Sequence, residues 1–456
     1  MRTPFGPLLF IVVAALPSGC GGQTVSPPPS GDSSGISSTH EGASAASGAA
    51  SGSLAVMTSG GVSGSVSASG VTTTSGDGSA VVGSGASTGA CTFDSITTLP
   101  DGGQCAGSRL VASPTVMITT PDPDPSNVAL AASTAGDQFL ALWTDGGWSV
   151  NGVAVPESIW ASLIRASPTV AKDSAAVELT ASGTCPVAIW SDSGFLVAWG
   201  DSSGLRMQQL DVQGMPVGSP SVLLSETNQA CPTSLVKTPL GVAISWQTGT
   251  TLLGENVALI TAAQTVLDPI ALGTVGPGVS TNIVLAQLQG QTYVACVEWP
   301  NGENGAAATA ISQVIWGHNV AVPQVTEPVY FNSFLAADGR LWMSGGALYA
   351  GVPGSAFQIE GEGCDAFTTL ATDACGRLVG LGTQGFTPAG VAGGFFAQSF
   401  VGAGSQVVLG SVTASAIAGG GSSFGVLWYA RIGPGIPAPG EENESGALSF
   451  TTLSWQ

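Results

Sequence analysis

The stretch from Ser193 to Ser225, SGFLVAWGDSSGLRMQQLDVQGMPVGSPSVLLS, constrains the fold more than any other part of the chain. An apolar run ending in tryptophan (Phe195, Leu196, Val197, Ala198, Trp199) meets an Asp-Ser-Ser-Gly turn. An alternating run follows, Leu205, Met207 and Gln209 against Arg206, Gln208 and Leu210, then a turn at Gln213 and Gly214 and a third run from Val222 to Leu224. Alternate residues share one face of a strand and turns this short join antiparallel neighbours, so the stretch predicts a meander of three short strands. Comparable runs recur at Phe139 to Trp143, Val242 to Trp246, Tyr293 to Trp299, Arg340 to Trp342, Leu378 to Leu381 and Phe424 to Trp428. Seven such units of about four strands each meet the requirement of an all-β, seven-bladed β-propeller. Units five and six are short and irregular, so six or eight blades also fit the spacing.

Gly, Asp or Ser stands in the turn before most of these runs, as at Gly136-Asp137, Ser193-Gly194, Asp338-Gly339 and Gly419 to Gly421. Ahead of the turns lie further apolar runs, Val128 to Ala132, Val187 to Trp190, Ile283 to Leu288, Phe331 to Ala336 and Phe367 to Ala371, read here as the innermost strands. The Trp-ending runs then come second, and their tryptophans are expected to pack between neighbouring sheets. Ring closure is legible as well. The junction Arg165-Ala166-Ser167-Pro168-Thr169-Val170 between third and fourth strands has a counterpart at Val111-Ala112-Ser113-Pro114-Thr115-Val116 with no strands before it. The last unit stops at a third strand, Ala447 to Trp455, so Val116 to Thr119 is expected to supply its outer strand and hide two sheet edges.

Ahead of the repeat the composition changes. Residues 1–19 read as a signal peptide, with Arg2 before an apolar run from Leu8 to Leu16 that is too short to span a bilayer. Ser18-Gly19-Cys20 resembles a bacterial lipobox, which implies lipidation at Cys20 and, with Gly21 after it, an outer-membrane anchor. Pro17 departs from the lipobox pattern and leaves plain secretion as the alternative. Residues 20–90 form a Gly/Ser-rich tether that cannot bury enough apolar area to offset its chain entropy and is expected to be disordered. From 24 to 90 it would span roughly 45 Å as a flexible coil. A short lead-in flanked by cysteines occupies 91–109, and the propeller takes 110–456.

A net charge of -20, with only nine Lys and Arg, offers no basic patch for phosphate and excludes nucleic acid; contact with a membrane is expected only through a lipid at Cys20. An exported chain permits disulfides. Cys91 with Cys105 is the first choice, and Cys185 with Cys231, which open adjacent innermost strands, is the second; Cys364 with Cys375 requires a turn between them. Cys296 is expected as a buried free thiol. No zinc, redox or other metal spacing appears, and no cofactor is called for. His40 falls in the tether, His318 is expected in a loop, and Asp122 and Asp124 lie between prolines in a stiff linker.

No nucleophile-base pair, P-loop or dinucleotide fingerprint is present. Any site is therefore expected where second-to-third-strand loops meet around the funnel. Asp145, Trp148, Asp201, Asn301, Glu303, Tyr429 and Arg431 are assigned to those loops. Residues 110–456 resemble the lipid-anchored or secreted seven-bladed propellers of bacteria through FLVAW, turn, LRMQQLD-x-x-G-x-P at 195–216, a pattern that runs on through Gly214 and Pro216. That resemblance implies an architecture and leaves the activity open. Sialidases share a related ring, but Trp143-Thr144-Asp145-Gly146-Gly147-Trp148 is only a distorted Asp-box. Their arginine triad would have to come from Arg109, Arg165, Arg206, Arg340, Arg377 and Arg431. The expected function is an envelope-anchored, monomeric propeller that presents a surface to an unknown protein or glycan; the alternative is a glycan-acting hydrolase with carboxylates across the funnel.

Overall fold

A computed structural model describes the chain from Arg109 to Gln456, apart from residues 119, 121–124, 147–148, 151–152, 155, 167–170, 173, 226–229, 250–252, 262–264, 268, 276–281, 299–307, 328–330, 346, 362–366, 384–394, 400–405, 411–413 and 431–446. The chain opens with β1 (Leu110–Ala112) and β2 (Val116–Ile118). Blade 1 follows as β3 (Ser126–Ala132), β4 (Gln138–Asp145), β7 (Ser158–Arg165), and the outer pieces β8 (Ala171–Lys172) and β9 (Val177–Thr180). A two-strand insertion, β5 (Ser149–Val150) and β6 (Val153–Ala154), interrupts it. Blade 2 is β10 (Thr184–Ser191), β11 (Gly194–Asp201), β12 (Gly204–Leu210) and β13 (Pro216–Ser225). Blade 3 is β14 (Ala230–Thr238), β15 (Gly241–Thr248), β16 (Leu253–Thr261) and β17 (Ile270–Val275). Blade 4 is β18 (Ile283–Leu288), β19 (Gln291–Glu298), β20 (Ala308–Ile315) and β21 (Val320–Glu327). Blade 5 is β22 (Ser333–Ala337), β23 (Arg340–Ser344), β24 (Leu348–Gly351) and β25 (Gln358–Gly361). Blade 6 is β26 (Phe367–Thr372), β27 (Leu378–Thr383), β28 (Phe395–Ser399) and β29 (Gln406–Gly410). Blade 7 is β30 (Ala414–Gly420), β31 (Ser423–Ala430) and β32 (Ala447–Trp455), completed by β1 and β2.

Every pairing is antiparallel, and the first strands β3, β10, β14, β18, β22, β26 and β30 each touch the next until β30 meets β3 again. That closed ring of sheets defines a β-propeller. The Trp-ending runs are second strands, as their spacing predicts. Their alternation explains the ring. Phe195, Val197 and Trp199 pack on Leu140, Leu142 and Ile159 of blade 1, while Leu196 and Ala198 of the same strand face Ile244 and Trp246 of blade 3. Trp143 and Trp428 likewise pack back on the preceding blade, and Trp143, Trp199, Trp246 and Trp342 are fully buried. These indoles are inter-blade packing, as their regular recurrence implies.

Blades are also stitched by hydrogen bonds near the axis. The Ser234 hydroxyl accepts from the Leu285 N–H (2.9 Å) and the Ser333 hydroxyl from the Leu370 N–H (3.0 Å). The Lys237 ammonium meets the Asp192 carboxylate across blades 2 and 3. The first-to-second-strand turns of blades 6, 7 and 1 touch directly: Ala374 N–H donates to the Gly421 carbonyl (2.9 Å) and Gly421 N–H to the Thr134 carbonyl (2.8 Å). Side chains do not fit there. A Cβ at Gly420 would lie 2.1 Å from the Ser133 carbonyl oxygen, and one at Gly136 would lie 1.8 Å from the Gly420 oxygen.

Closure follows the expectation and exceeds it. β2 pairs with β32 (Val116 opposite Phe450, Ile118 opposite Leu448), and β1 pairs further along the same strand, Leu110 opposite Trp455. The Ser113 carbonyl accepts from the Thr451 hydroxyl at 2.7 Å, and the Ser113 hydroxyl from the Thr452 N–H at 3.0 Å. Cys185 and Cys231 form a disulfide with Cα atoms 5.4 Å apart, joining blades 2 and 3. The expected free thiol at Cys296 is corrected: it is disulfide-bonded, as is Cys375, with the partner cysteines outside the described residues. An interior strand position predicts burial, and Cys296 is buried, but burial does not preclude a disulfide. Cys20, Cys91, Cys105 and Cys364 lie outside the described residues, as do His40, Asp122 and Asp124. No helix among the described residues is long and apolar enough to cross a membrane.

Deleting residues 110–120 removes Leu110 and Ile118, each 1 % exposed, whose burial is worth about 1.5–3 kcal/mol apiece, and bares the edge of β32. The expected calorimetric result is a marked fall in the unfolding midpoint. A Met117→Ser control, at a position 53 % exposed, should leave the midpoint nearly unchanged.

Candidate functional site

In an up-and-down meander all second-to-third-strand connections and all entries to first strands emerge at one end of the ring. Between blades 1 and 2 this end carries a cleft of about 380 Å³. Glu157 reaches it from just ahead of β7, Ser182 and Thr184 from the entry to β10, Asp201 from the end of β11 and Ser202 from the turn after it. Its floor is glycine backbone for a steric reason. A Cβ at Gly183 would sit 2.7 Å from Cδ1 of Trp199, and one at Gly200 would sit 1.5 Å from the Ala230 carbonyl oxygen. Gly183 N–H donates to the Glu157 carbonyl at 2.9 Å, which ties the two blades at the cleft. The Cys185–Cys231 disulfide begins one residue beyond Thr184 and fixes the entry to β10 against that to β14.

Asp201 organises its own turn. Its Oδ1 accepts from the Ser203 N–H (2.7 Å) and hydroxyl (2.6 Å), and its Oδ2 accepts from Arg206 Nε at 2.8 Å. Arg206 also donates to the Ser203 hydroxyl at 2.7 Å. Burial pushes the Asp201 carboxyl upward, but the Ser203 hydrogen bonds and the Arg206 cation together hold it below its ordinary value of 3.8. Glu157, half-buried, makes no ion pair with the described residues.

Of the residues assigned to this face, Asp201 reaches the cleft. Asp145 ends β4 opposite Ser158, the same place that Asp201 holds at the end of β11 opposite Gly204, whereas Asp145 and Tyr429, the latter in β31 opposite Leu448, are both enclosed. Asp145 and Tyr429 are each 4 % exposed, and Tyr429 packs with Phe139, Trp143 and Phe450. The pairing of β4 and β31 with long third strands carries them past their tryptophans, so the turn starts later than the run suggests. Trp148, Asn301, Glu303 and Arg431 lie outside the described residues. His318 ends a one-turn 3₁₀ helix, Trp316–His318, at the opposite end of the ring.

Three of the six candidate arginines serve turns of their own blades. Besides Arg206, Arg340 bonds Asp338 (2.9 Å) and Glu360 (2.7 Å) and lies 4.6 Å above the Trp342 ring. Arg377, 1 % exposed, donates through Nε to Asp373 at 2.7 Å and stacks 4.3 Å from the Trp455 ring, whose N–H reaches the same carboxylate at 3.2 Å. The described residues contain no group of three or more His, Cys, Asp or Glu that could hold a metal ion.

No protein-family model and no curated protein matches the chain. Among solved structures, the β-propeller domain of the Trilobed protease from Pyrococcus furiosus matches with a TM-score of 0.40 and 11 % identity, over 71 % of this chain and 90 % of that one. The subtype N10 neuraminidase-like protein of A/little yellow-shouldered bat/Guatemala matches at 0.38 and 8 %, over 76 % of this chain and 100 % of that one. The catalytic domain of Coprinopsis cinerea GH62 alpha-L-arabinofuranosidase matches at 0.37 and 6 %, over 76 % and 97 %.

Replacing Asp201 with Asn removes the charge that Ser203 and Arg206 are arranged around, at an expected cost of about 1–2 kcal/mol in urea unfolding. Because the folded-state value is lowered, the wild type's advantage is complete above pH 3.8 and disappears as the pH falls through the folded-state value. A gap between wild type and variant that widened on acidification would contradict this assignment.

Proposed function

We propose that this chain is an envelope-anchored β-propeller that uses the end bearing the Asp201 cleft to bind a protein or glycan without transforming it. The observation that carries the reading is the commitment of Asp201 to Ser203 and Arg206. A carboxylate held ionised by a cation is poorly suited to deliver a proton, and apart from Glu157 the other polar side chains of the cleft, Ser182, Thr184 and Ser202, are hydroxyls suited to hydrogen-bonded recognition. Placing a photo-crosslinking residue at Ser202 in intact cells is expected to trap the partner, whereas the same residue at Val217, exposed on the outer strand β13, is expected to trap none. Equal adducts at both positions, or none at Ser202, would refute the proposed face.

A second reading rests on Glu157 and Asp201 lining one cleft, since glycoside hydrolysis uses two carboxylates about a bond. It predicts release of reducing ends from a glycan, lost on Glu157→Gln. Glycan binding by the wild type with no product formed supports the non-catalytic reading.

The address is part of the proposal. The apolar leader, the lipobox-like Ser18-Gly19-Cys20 and the Gly/Ser tether support an outer-membrane lipoprotein. The Cys185–Cys231 disulfide fits an oxidising compartment. In a Gram-negative host, metabolic labelling with palmitate should mark the wild type and spare Cys20→Ser, which should move from the membrane to the soluble fraction. An unlabelled wild type would leave plain secretion as the account.

A further inference from the structure

A second cleft opens at the other end of the ring, between blades 3 and 4, where first-to-second and third-to-fourth turns gather. It encloses about 360 Å³, within the range of small-molecule sites, and every side chain lining it is uncharged. Pro239, Leu240 and Trp316 supply an apolar wall; Gln291, Thr292 and Gln313 supply a polar edge. Leu240 is 61 % exposed, a large apolar side chain held in water at the cleft that Trp316 also lines.

Two hydrogen-bond relays fix these groups. The Trp316 indole N–H donates to the Thr292 hydroxyl at 3.1 Å, and that hydroxyl donates to Gln287 Oε1 at 3.0 Å, so the ring is locked from behind. At the edge, Gln291 Oε1 accepts from the Tyr293 hydroxyl (2.8 Å) and from Gln313 Nε2 (2.9 Å). Both oxygen lone pairs of Gln291 are thereby used. Its amide N–H₂ and the Gln313 carbonyl remain as a donor and an acceptor side by side at the surface.

We propose that this cleft binds an uncharged sugar ring. A pyranose presents an apolar face of C–H groups and a rim of hydroxyls, each a donor and an acceptor. The fixed indole offers the first a stacking surface, and the paired glutamines match two neighbouring hydroxyls of the second. An uncharged lining gives an ionic ligand no counter-charge to offset its desolvation. A proline-rich peptide is the competing occupant. It needs an extended aromatic-lined groove, whereas this cleft is compact and has one indole. The site shares no residue with the Asp201 cleft, so the two proposals stand or fall separately.

The test is isothermal titration of the full chain with maltose, cellobiose, lactose and chitobiose, and in parallel with a proline-rich decapeptide, alongside saturation-transfer NMR. At least one disaccharide is expected to bind, with the strongest transfer to ring C–H protons. Trp316→Ala and Gln313→Leu should each weaken binding roughly tenfold or more, while Val217→Ser, on the exposed outer strand β13, leaves it unchanged. Gln313 takes part in no core packing, so its variant should keep the wild-type melting curve and remain informative if Trp316→Ala unfolds. Three results would each overturn the proposal: no disaccharide binding to the wild type, undiminished binding to a folded Gln313→Leu variant, or displacement of the sugar by the peptide at this cleft.

Discussion

Each sheet of this protein is apolar on both faces, and a sheet of that kind is stable only with a neighbour on either side. The second strands show the constraint most clearly, since Trp199 and Val197 of one strand belong to the core shared with blade 1 and Ala198 and Leu196 to the core shared with blade 3. A stack of such sheets would leave two apolar faces in water, and a ring leaves none. The ring in turn requires that its two chain ends meet, which β1 and β2 accomplish by completing the sheet begun by β30, β31 and β32. Outer strands remain as edges. On β13 the prolines at 216 and 220 cannot donate to an added strand, which blunts that edge against pairing with another chain.

The same packing sets the geometry of the clefts. Blades 2 and 3 approach so closely at Gly200 that only backbone fits, and Trp199 fills the space behind Gly183, so the floor of one cleft is peptide rather than side chain. Few charges are available, and many of the cations are spent on turns. Arg206, Arg340 and Arg377 all hold carboxylates of their own blades, two of them while stacked on an indole. Beside the Glu157 and Asp201 carboxylates, the two clefts proposed as binding sites therefore present hydroxyls, amides and an aromatic face. That distinguishes this propeller from sites built around a cationic grip on an acidic ligand.

Much of the architecture was legible because it is periodic. Alternation within runs such as Phe195 to Trp199, turn residues ahead of them and the repeated Ser-Pro-Thr-Val junction located strands, sheet order and closure. Equivalence in the repeat also brought Cys185 to Cys231. The clefts were less legible because they join residues with no common period. Glu157 and Asp201 come to line one cleft through blade packing, and Leu240 and Trp316, 76 positions apart in the sequence, line another. Burial past the tryptophans was not legible either: Tyr429 and Asp145 follow Trp428 and Trp143 by one and two residues, where pairing with Leu448 and Ser158 continues the strand and encloses both side chains. The Asp338 and Asp373 turns look like ordinary turn chemistry in sequence; their arginine and indole partners appear only when the hairpins fold.

The claim on which this account depends is that the amino-terminal strands are integral to the ring rather than appended to it. Native-state hydrogen exchange read at Leu110–Ala112 and Val116–Ile118 tests it most directly. If the account holds, the paired amides of these segments exchange only in the same cooperative opening that exposes β31 and β32. Rapid exchange there while β31 stays protected would show a ring that stands without its closing strands, and would contradict it.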